Sequence, residues 1–292
     1  MYTAPPVIVV IGASSLIGDF LLPALLEAGF EIRAISRRDQ HHATQWAYDP
    51  HRLSWHTPAA IQADAHWLAG ASAAIHLAPL DVLPPMLPAL AGAGIRRLIA
   101  FGSTSLLTRQ NSADGRERQW ALALADAEAR IALEAKELGI DWTLFRPTLI
   151  YAPGRDRNVS TIMRFIRRFG FFPLAGQGTG LRQPVHARDL AAACLSVLDN
   201  PSTCGKAYNL SGGETLRYRD MVIRIFAHLQ RPVRLVNVPV SVLRCGLALL
   251  SRLPGYRYIT PEMANRMNVD LCFDAAEARR DFGFSPGDFL AS

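Results

Sequence analysis

Residues 7–29 constrain the fold more than any other stretch. Val7-Ile8-Val9-Val10-Ile11 is an unbroken β-branched run, Gly12-Ala13-Ser14-Ser15 is a turn of small residues, and a leucine-rich amphipathic run closes at Gly29. An apolar run without polar alternation reads as a strand buried on both faces, and a glycine after a 3.6-period stretch reads as a helix stop. Strand, tight turn and helix in this order leave the N–H groups of the helix's first turn, with the positive end of its dipole, facing an anion. Small side chains let the backbone approach a pyrophosphate, so the segment predicts a nucleotide-binding start. Such turns also occur without a ligand, and the segment alone leaves that alternative open.

The remaining composition narrows the class. With 292 residues, 50% of them hydrophobic and 19% charged, the chain has material for one large domain or two smaller ones. Its net charge of +6 is carried by 29 arginines and only two lysines, Lys136 and Lys206. Isolated arginines suit bidentate grips on phosphate or carboxylate, whereas nucleic-acid surfaces mix both basic residues with aromatics. No nucleic-acid partner is therefore expected, and Arg164, Arg167 and Arg168 read as a solvated helix face. The four cysteines show no C-x-x-C spacing and no secretory leader precedes them, so a reduced, cytoplasmic setting is expected. No metal is expected either: His41, His42, His51 and His56 lie in one polar stretch without a recognisable ligand spacing and read as solvated loop residues.

Along the chain, Glu31-Ile32-Arg33-Ala34-Ile35-Ser36 reads as a second strand and runs at once into Arg37-Arg38. An acid at this strand end would accept from the adenosine ribose hydroxyls, while arginine there meets a 2′-phosphate. The pattern predicts NADP(H) over NAD(H), with Asp39 the nearest residue that would reverse the preference. Trp46–Asp49 is a candidate third strand, residues 73–78 a fourth, 84–94 a helix, and Arg97–Phe101 a fifth strand running into Gly102-Ser103-Thr104-Ser105. Strands alternating with helices at this interval predict an α/β fold with a doubly wound parallel sheet, whose ligands lie at the carboxyl edge, where this hydroxyl cluster falls.

The glycines at 12 and 18 give the G-x-x-x-x-x-G frame of the extended short-chain dehydrogenase/reductases, the sugar-nucleotide epimerases and dehydratases, and the sequence resembles that branch. It departs from the usual pattern in having Ser15 at the middle glycine, where a hydroxyl suits a helix N-cap. The resemblance implies a cofactor site from Gly12, Ser14, Ser15, Leu16, Ile17 and Gly18, with Ser36, Arg37 and Arg38, the Leu77-Ala78 segment and Pro147. It puts Thr104 at the catalytic hydroxyl, with Ser103 beside it; a strand end whose hydroxyls cap backbone is the alternative. Family members then carry Tyr-x-x-x-Lys on the next helix, a lysine lowering the phenol's pKa for proton exchange. Matching Ala127-Glu128 to the family segment puts Leu122 and Asp126 at those two places, and neither does that chemistry. Glu117 or Asp126 is then the substitute proton carrier.

Two further motifs carry the resemblance. Arg146-Pro147-Thr148-Leu149-Ile150-Tyr151-Ala152-Pro153-Gly154 matches the loop that borders the nicotinamide, and Arg182 to Ala191 carries R-x-x-V-H-x-x-D-x-A, similar to a second family signature. The family places the arginine at 182 on the diphosphate of a sugar nucleotide, with Asn158 near the same cleft; a surface ion pair is the alternative for Arg182. Residues 239–253 are apolar but too short for a membrane span, so a buried or lobe-packing helix is expected, with membrane-surface or partner docking as the alternative.

These readings give a Rossmann domain over 1–150 and a smaller, mostly helical substrate lobe over 151–292 that could return elements to the main sheet. Two functions follow. One is an atypical NADP(H)-dependent oxidoreductase or epimerase acting on a nucleotide-linked or similarly anionic small molecule. The other is a non-catalytic NAD(P)-binding sensor or accessory subunit. A homodimer is open in either case.

Overall fold

The computed structural model describes residues 5–37, 51–59, 65–110, 112, 114–252 and 260–291. Arg38, Asp39, His41, His42 and the candidate strand 46–49 lie outside them. In chain order the elements begin β1 (Val7–Ile11), α1 (Gly18–Glu27), β2 (Glu31–Ile35), β3 (Leu53–His56), β4 (Ala71–His76), α2 (Leu87–Gly92), β5 (Arg97–Phe101), α3 (Ser105–Arg109), α4 (Gly115–Glu137) and β6 (Asp141–Pro147). They continue β7 (Ile150–Tyr151), α5 (Val159–Phe169), β8 (Phe172–Ala175), β9 (Leu181–Arg182), β10 (Val185–His186), α6 (Ala187–Leu198) and β11 (Lys206–Leu210). The last are β12 (Leu216–Arg217), α7 (Tyr218–His228), β13 (Leu235–Val238), α8 (Val240–Leu250), α9 (Glu262–Arg266) and α10 (Ala276–Phe282).

The chain forms two compact units. The first comprises Met1–Pro147, Ala187–Leu210 and Ala275–Ser285; the second comprises Thr148–His186, Ser211–Asp274 and Pro286–Ser292. α6, β11 and α10 belong to the first unit, and β11 joins the main sheet beside β6, a return of elements that the sequence reading left open.

In the first unit seven strands form one sheet in the order β11-β6-β5-β4-β1-β2-β3, with every neighbouring pair parallel. The third position is taken by Leu53–His56, and His56 is a strand residue stacked on Trp67 at 4.3 Å rather than a loop histidine. Parallel sheets carry crossover helices on both faces, which is why β1 is buried at all five positions. Val7, Val9 and Ile11 join a core with Leu90, Leu98 and Ile131, while Ile8 and Val10 face the other way and are equally buried. Strand order reverses between β1 and β4, so the carboxyl ends of these two strands form the switch point where open α/β sheets take ligands.

The second unit has a separate core, with Ile162, Ile166, Phe172, Leu174, Ile225 and Phe226 at its centre. Among the described residues its strands pair in twos, β7 with β10, β9 with β12, and β8 with β13, with an isolated bridge from Arg182 of β9 to Leu271. The apolar run after 239 forms a helix, α8, with no buried residue; it packs on the lobe, Val240, Leu243 and Leu247 lying against the second core, which is the lobe-packing form of the expectation.

Candidate functional site

The turn after β1 is held from both sides. Gly12 N–H and Ala13 N–H donate to Ile35 O at the end of β2 (2.9 and 3.1 Å), and Leu77 N–H at the end of β4 donates to Ile11 O (2.7 Å). Gly12 has φ +76°, and a Cβ there would lie 2.6 Å from Ala78 N, so both the conformation and the close strand approach require glycine. Gly18 is fixed likewise, since a side chain would overlap the Ala13 carbonyl.

Ser15 replaces a glycine without loss of the turn. Its N–H donates to Gly12 O (2.9 Å), its carbonyl accepts from Asp19 N–H (3.2 Å), and its Oγ accepts from Gly18 N–H (3.2 Å). The hydroxyl therefore caps the first turn of α1. Among the described residues the N–H groups of Ser14, Leu16 and Ile17 make no internal bond in this turn. These are the donors an incoming diphosphate would use, and the turn's chemistry fits one. The Ser14 and Ser36 hydroxyls lie 2.7 Å apart, joining the turn to the end of β2, where Arg37 is exposed to solvent.

His76 ends β4 directly beside this turn, in register with Ile11 and Ala100. It is fully buried and neither ring nitrogen has a hydrogen-bond partner. Burial pushes the imidazole down to about 3, against a weaker opposing pull from its own backbone. His76 was legible only as part of a strand, since nothing in the sequence says that its ring nitrogens are unpartnered.

At the end of β5 the two hydroxyls differ. Thr104 is buried, and its Oγ1–H donates to Pro147 O (3.1 Å), the same carbonyl that accepts Thr104 N–H (3.2 Å). Its proton is committed to backbone, which is the capping alternative; the oxygen can accept but not donate. Ser103 Oγ only accepts, from Ser105 N–H (3.2 Å), and its proton remains available. In this arrangement the Thr104 hydroxyl proton is engaged and the Ser103 hydroxyl proton is not.

Helix α4 starts at Asp114, whose carboxylate accepts Arg116 N–H (2.8 Å) and Glu117 N–H (3.4 Å). Its buried face comprises Glu117, Ala121, Leu124, Ala127, Glu128, Ile131 and Ala135. Leu122 is 55% exposed and Asp126 is also exposed. At 100° per residue they lie on the side opposite Glu128, so they do not face the strand end. Leu122 and Asp126 are thus on the outward side of α4, whereas Leu124 and Trp120 stand one and two turns before Glu128. Glu117 is on the inward face, but it is buried and accepts the Ser112 hydroxyl (3.0 Å). Glu128 is the inward acid that sequence reasoning passed over. Its Oε2 receives Arg146 Nε (2.8 Å) and Nη2 (2.5 Å), while Oε1 is buried against Gly102 with no partner.

In the second unit Arg182 is 4% exposed, and its guanidinium is spent on backbone. Nη1 donates to Leu181 O (2.6 Å) and Val269 O (2.7 Å), Nη2 donates to Arg266 O, and the group lies 5.4 Å from the Tyr218 ring centroid. Burial lowers its pKa and raises that of the Tyr218 phenol to about 12, with the arginine opposing the latter. The residue clamps the 266–269 turn; it is not a surface ion pair. Asn158 is exposed ahead of α5 in a loop organised by buried Asp156, which accepts Asn158 N–H (2.7 Å), Ser160 N–H (3.1 Å) and the Ser160 hydroxyl (2.6 Å).

Residues 8–211 match the profile of the NAD dependent epimerase/dehydratase family. A UDP-glucose 4-epimerase of Vibrio cholerae is 22% identical over 174 residues, 60% of this chain and 51% of that protein. A 2-alkyl-3-oxoalkanoate reductase of Stenotrophomonas maltophilia is 27% identical over 316 residues, covering 96% and 94%. The chain spans 51%, 37% and 26% of the first three curated relatives it matches. Among solved structures, a UDP-glucuronic acid 4-epimerase from Bacillus cereus in complex with UDP-glucuronic acid and NAD superposes with a TM-score of 0.73 at 15% identity, over 97% of this chain and 95% of that one. That likeness carries the fold alone. With a parallel sheet reversed at β1/β4 and the glycine turn on its carboxyl edge, the chain belongs to the NAD-dependent epimerase/dehydratase family.

Proposed function

We infer that this protein binds NADP(H) in preference to NAD(H) and holds it as a sensor or accessory component, without the family's phenol–ammonium proton relay. The observation that carries the reading is the turn itself: the N–H groups of Ser14, Leu16 and Ile17 are uncommitted, and the Ser14–Ser36 hydroxyl pair leads to exposed Arg37. A diphosphate would take the N–H groups, and Arg37 would take a 2′-phosphate in its planar fork. When bound, the nicotinamide supplies a hydride donor or acceptor. Against turnover stands α4, which has neither tyrosine nor lysine before Lys136 in its last turn, and whose inward acids Glu117 and Glu128 are both engaged.

One observation favours a second reading, an atypical oxidoreductase on a nucleotide-linked or similarly anionic substrate. The Ser103 hydroxyl proton is uncommitted and could polarise a carbonyl. The two readings separate in one experiment: NADPH consumption measured with UDP-glucose, UDP-glucuronic acid and a 3-oxoalkanoate. The sensor reading expects tight NADPH binding with no consumption; steady consumption abolished by Ser103→Ala establishes the second instead.

A further inference from the structure

We propose that the second unit docks peripherally on an anionic membrane surface through α8 and the ribbon formed by β8 and β13. Helix α8 has one charged residue, Arg244, and no buried residue. Val240, Leu243 and Leu247 lean on the unit's own core. The opposite stripe, Val242, Cys245, Gly246 and Leu249, follows i, i+3, i+4, i+7 spacing and is apolar throughout, with Val242 58% and Leu249 63% exposed. A helix that is apolar on both faces expects a partner on the outward one.

Pro239 joins α8 to β13, which pairs with β8 among the described residues and whose exposed positions are Val236 and Asn237. Phe172 pairs with Leu235 and donates its N–H to Arg234 O (2.9 Å), bringing the exposed Arg167-Arg168-Phe169 segment to the ribbon end where Arg231 and Arg234 lie.

Charge identifies the occupant. The second unit holds fifteen arginines, no lysine and seven carboxylates, a net +8, while the first unit is −2, together giving the chain's +6. Exposed aliphatic side chains on a helix joined to an arginine-bearing ribbon match the boundary between acyl chains and anionic headgroups. A second copy seated on the same face would set arginine against arginine. Nucleic acid would use Phe169 and the arginines but has no use for the outward Val242 and Leu249, the exposed large aliphatic side chains of α8. Among the described residues no helix is long and apolar enough to cross a membrane, and α8 at 11 residues is too short to do so.

The test uses the full chain and sedimentation with vesicles of phosphatidylcholine alone or with about one-third phosphatidylglycerol. Partitioning is expected to be about tenfold or more stronger on the anionic vesicles and to weaken in ~0.5 M salt, where the Debye length is a few ångströms. Val242→Glu with Leu249→Glu should reduce it about tenfold or more, because charge is driven into the interface. Arg231→Gln with Arg234→Gln should weaken it only at low salt. The urea unfolding midpoint of each variant shows that the fold is kept, and NADPH affinity is read separately, so failure here is distinguishable from failure of the cofactor assignment. No binding, equal binding to both vesicle types, or binding indifferent to the glutamate pair would overturn the proposal. So would a concentration-dependent dimer in sedimentation velocity that the same pair abolishes, since that places a second copy on the surface.

Discussion

The Arg146 guanidinium closes on one oxygen of Glu128, through Nε at 2.8 Å and Nη2 at 2.5 Å, and leaves the other oxygen buried behind Gly102. This pair ties α4 to the end of β6 beside the cofactor turn's edge of the sheet. Removing the cation strands a carboxylate that is 7% exposed. Arg146→Leu should therefore cost about 2–4 kcal/mol, toward the lower end because the guanidinium is itself partly solvated. Urea unfolding measures the loss, and a variant as stable as the parent would contradict the role.

Gly102 offers a second test of the same oxygen. Any Cβ at 102 runs into Glu128 Oε1, so Gly102→Ala should destabilise by about 1–2 kcal/mol. Gly102→Ser brings the same Cβ together with a hydroxyl that can donate to the orphaned oxygen, and should recover part of that loss. Equal losses in the two variants would mean that Oε1 needs no donor.

Arg182→Ala should act on stability rather than on ligand affinity. Three backbone carbonyls lose their donor and Tyr218 loses its cation, a change of about 2–4 kcal/mol. Lysine cannot reach several carbonyls with one planar fork, so Arg182→Lys should rescue little. NADPH affinity measured below the unfolding transition should be unchanged in both.

His76 makes stability fall toward acid. Its folded pKa of about 3 lies below the ordinary value of 6.5, so the unfolded chain takes up a proton that the folded chain refuses. This contribution is complete above pH 6.5 and is lost as pH falls from there toward 3. Between pH 6.5 and 5 it amounts to about 2 kcal/mol. His76→Leu should flatten the unfolding free energy over that window by this amount, and an unchanged slope would contradict the burial argument.

Much of the fold was legible because it is written in local chemistry. The β-branched run at 7–11, the glycines at 12 and 18 and the strand ending at Phe101 each impose one conformation, and the structure places them as read. Leu53–His56 was not read as a strand because it is short and weakly periodic, and its pairing with β2 is what identifies it; the candidate at 46–49 lies outside the described residues. The site was less legible where a role depends on distant partners. Arg182 carries a motif arginine, yet its donors are satisfied by carbonyls at 181, 266 and 269. Glu128 could be matched by sequence, but which residues share its face follows from the helix phase, and Leu122 and Asp126 lie on the outward side.

The cofactor assignment is tested most directly by calorimetric titration of NADPH and NADH into the parent and Arg37→Ala. A charge-assisted contact to the 2′-phosphate is worth about 1.5–3 kcal/mol, so NADPH should bind about tenfold or more tightly than NADH, and Arg37→Ala should remove most of that difference while leaving NADH affinity unchanged. Equal affinities in the parent, or no binding of either nucleotide, would contradict the account.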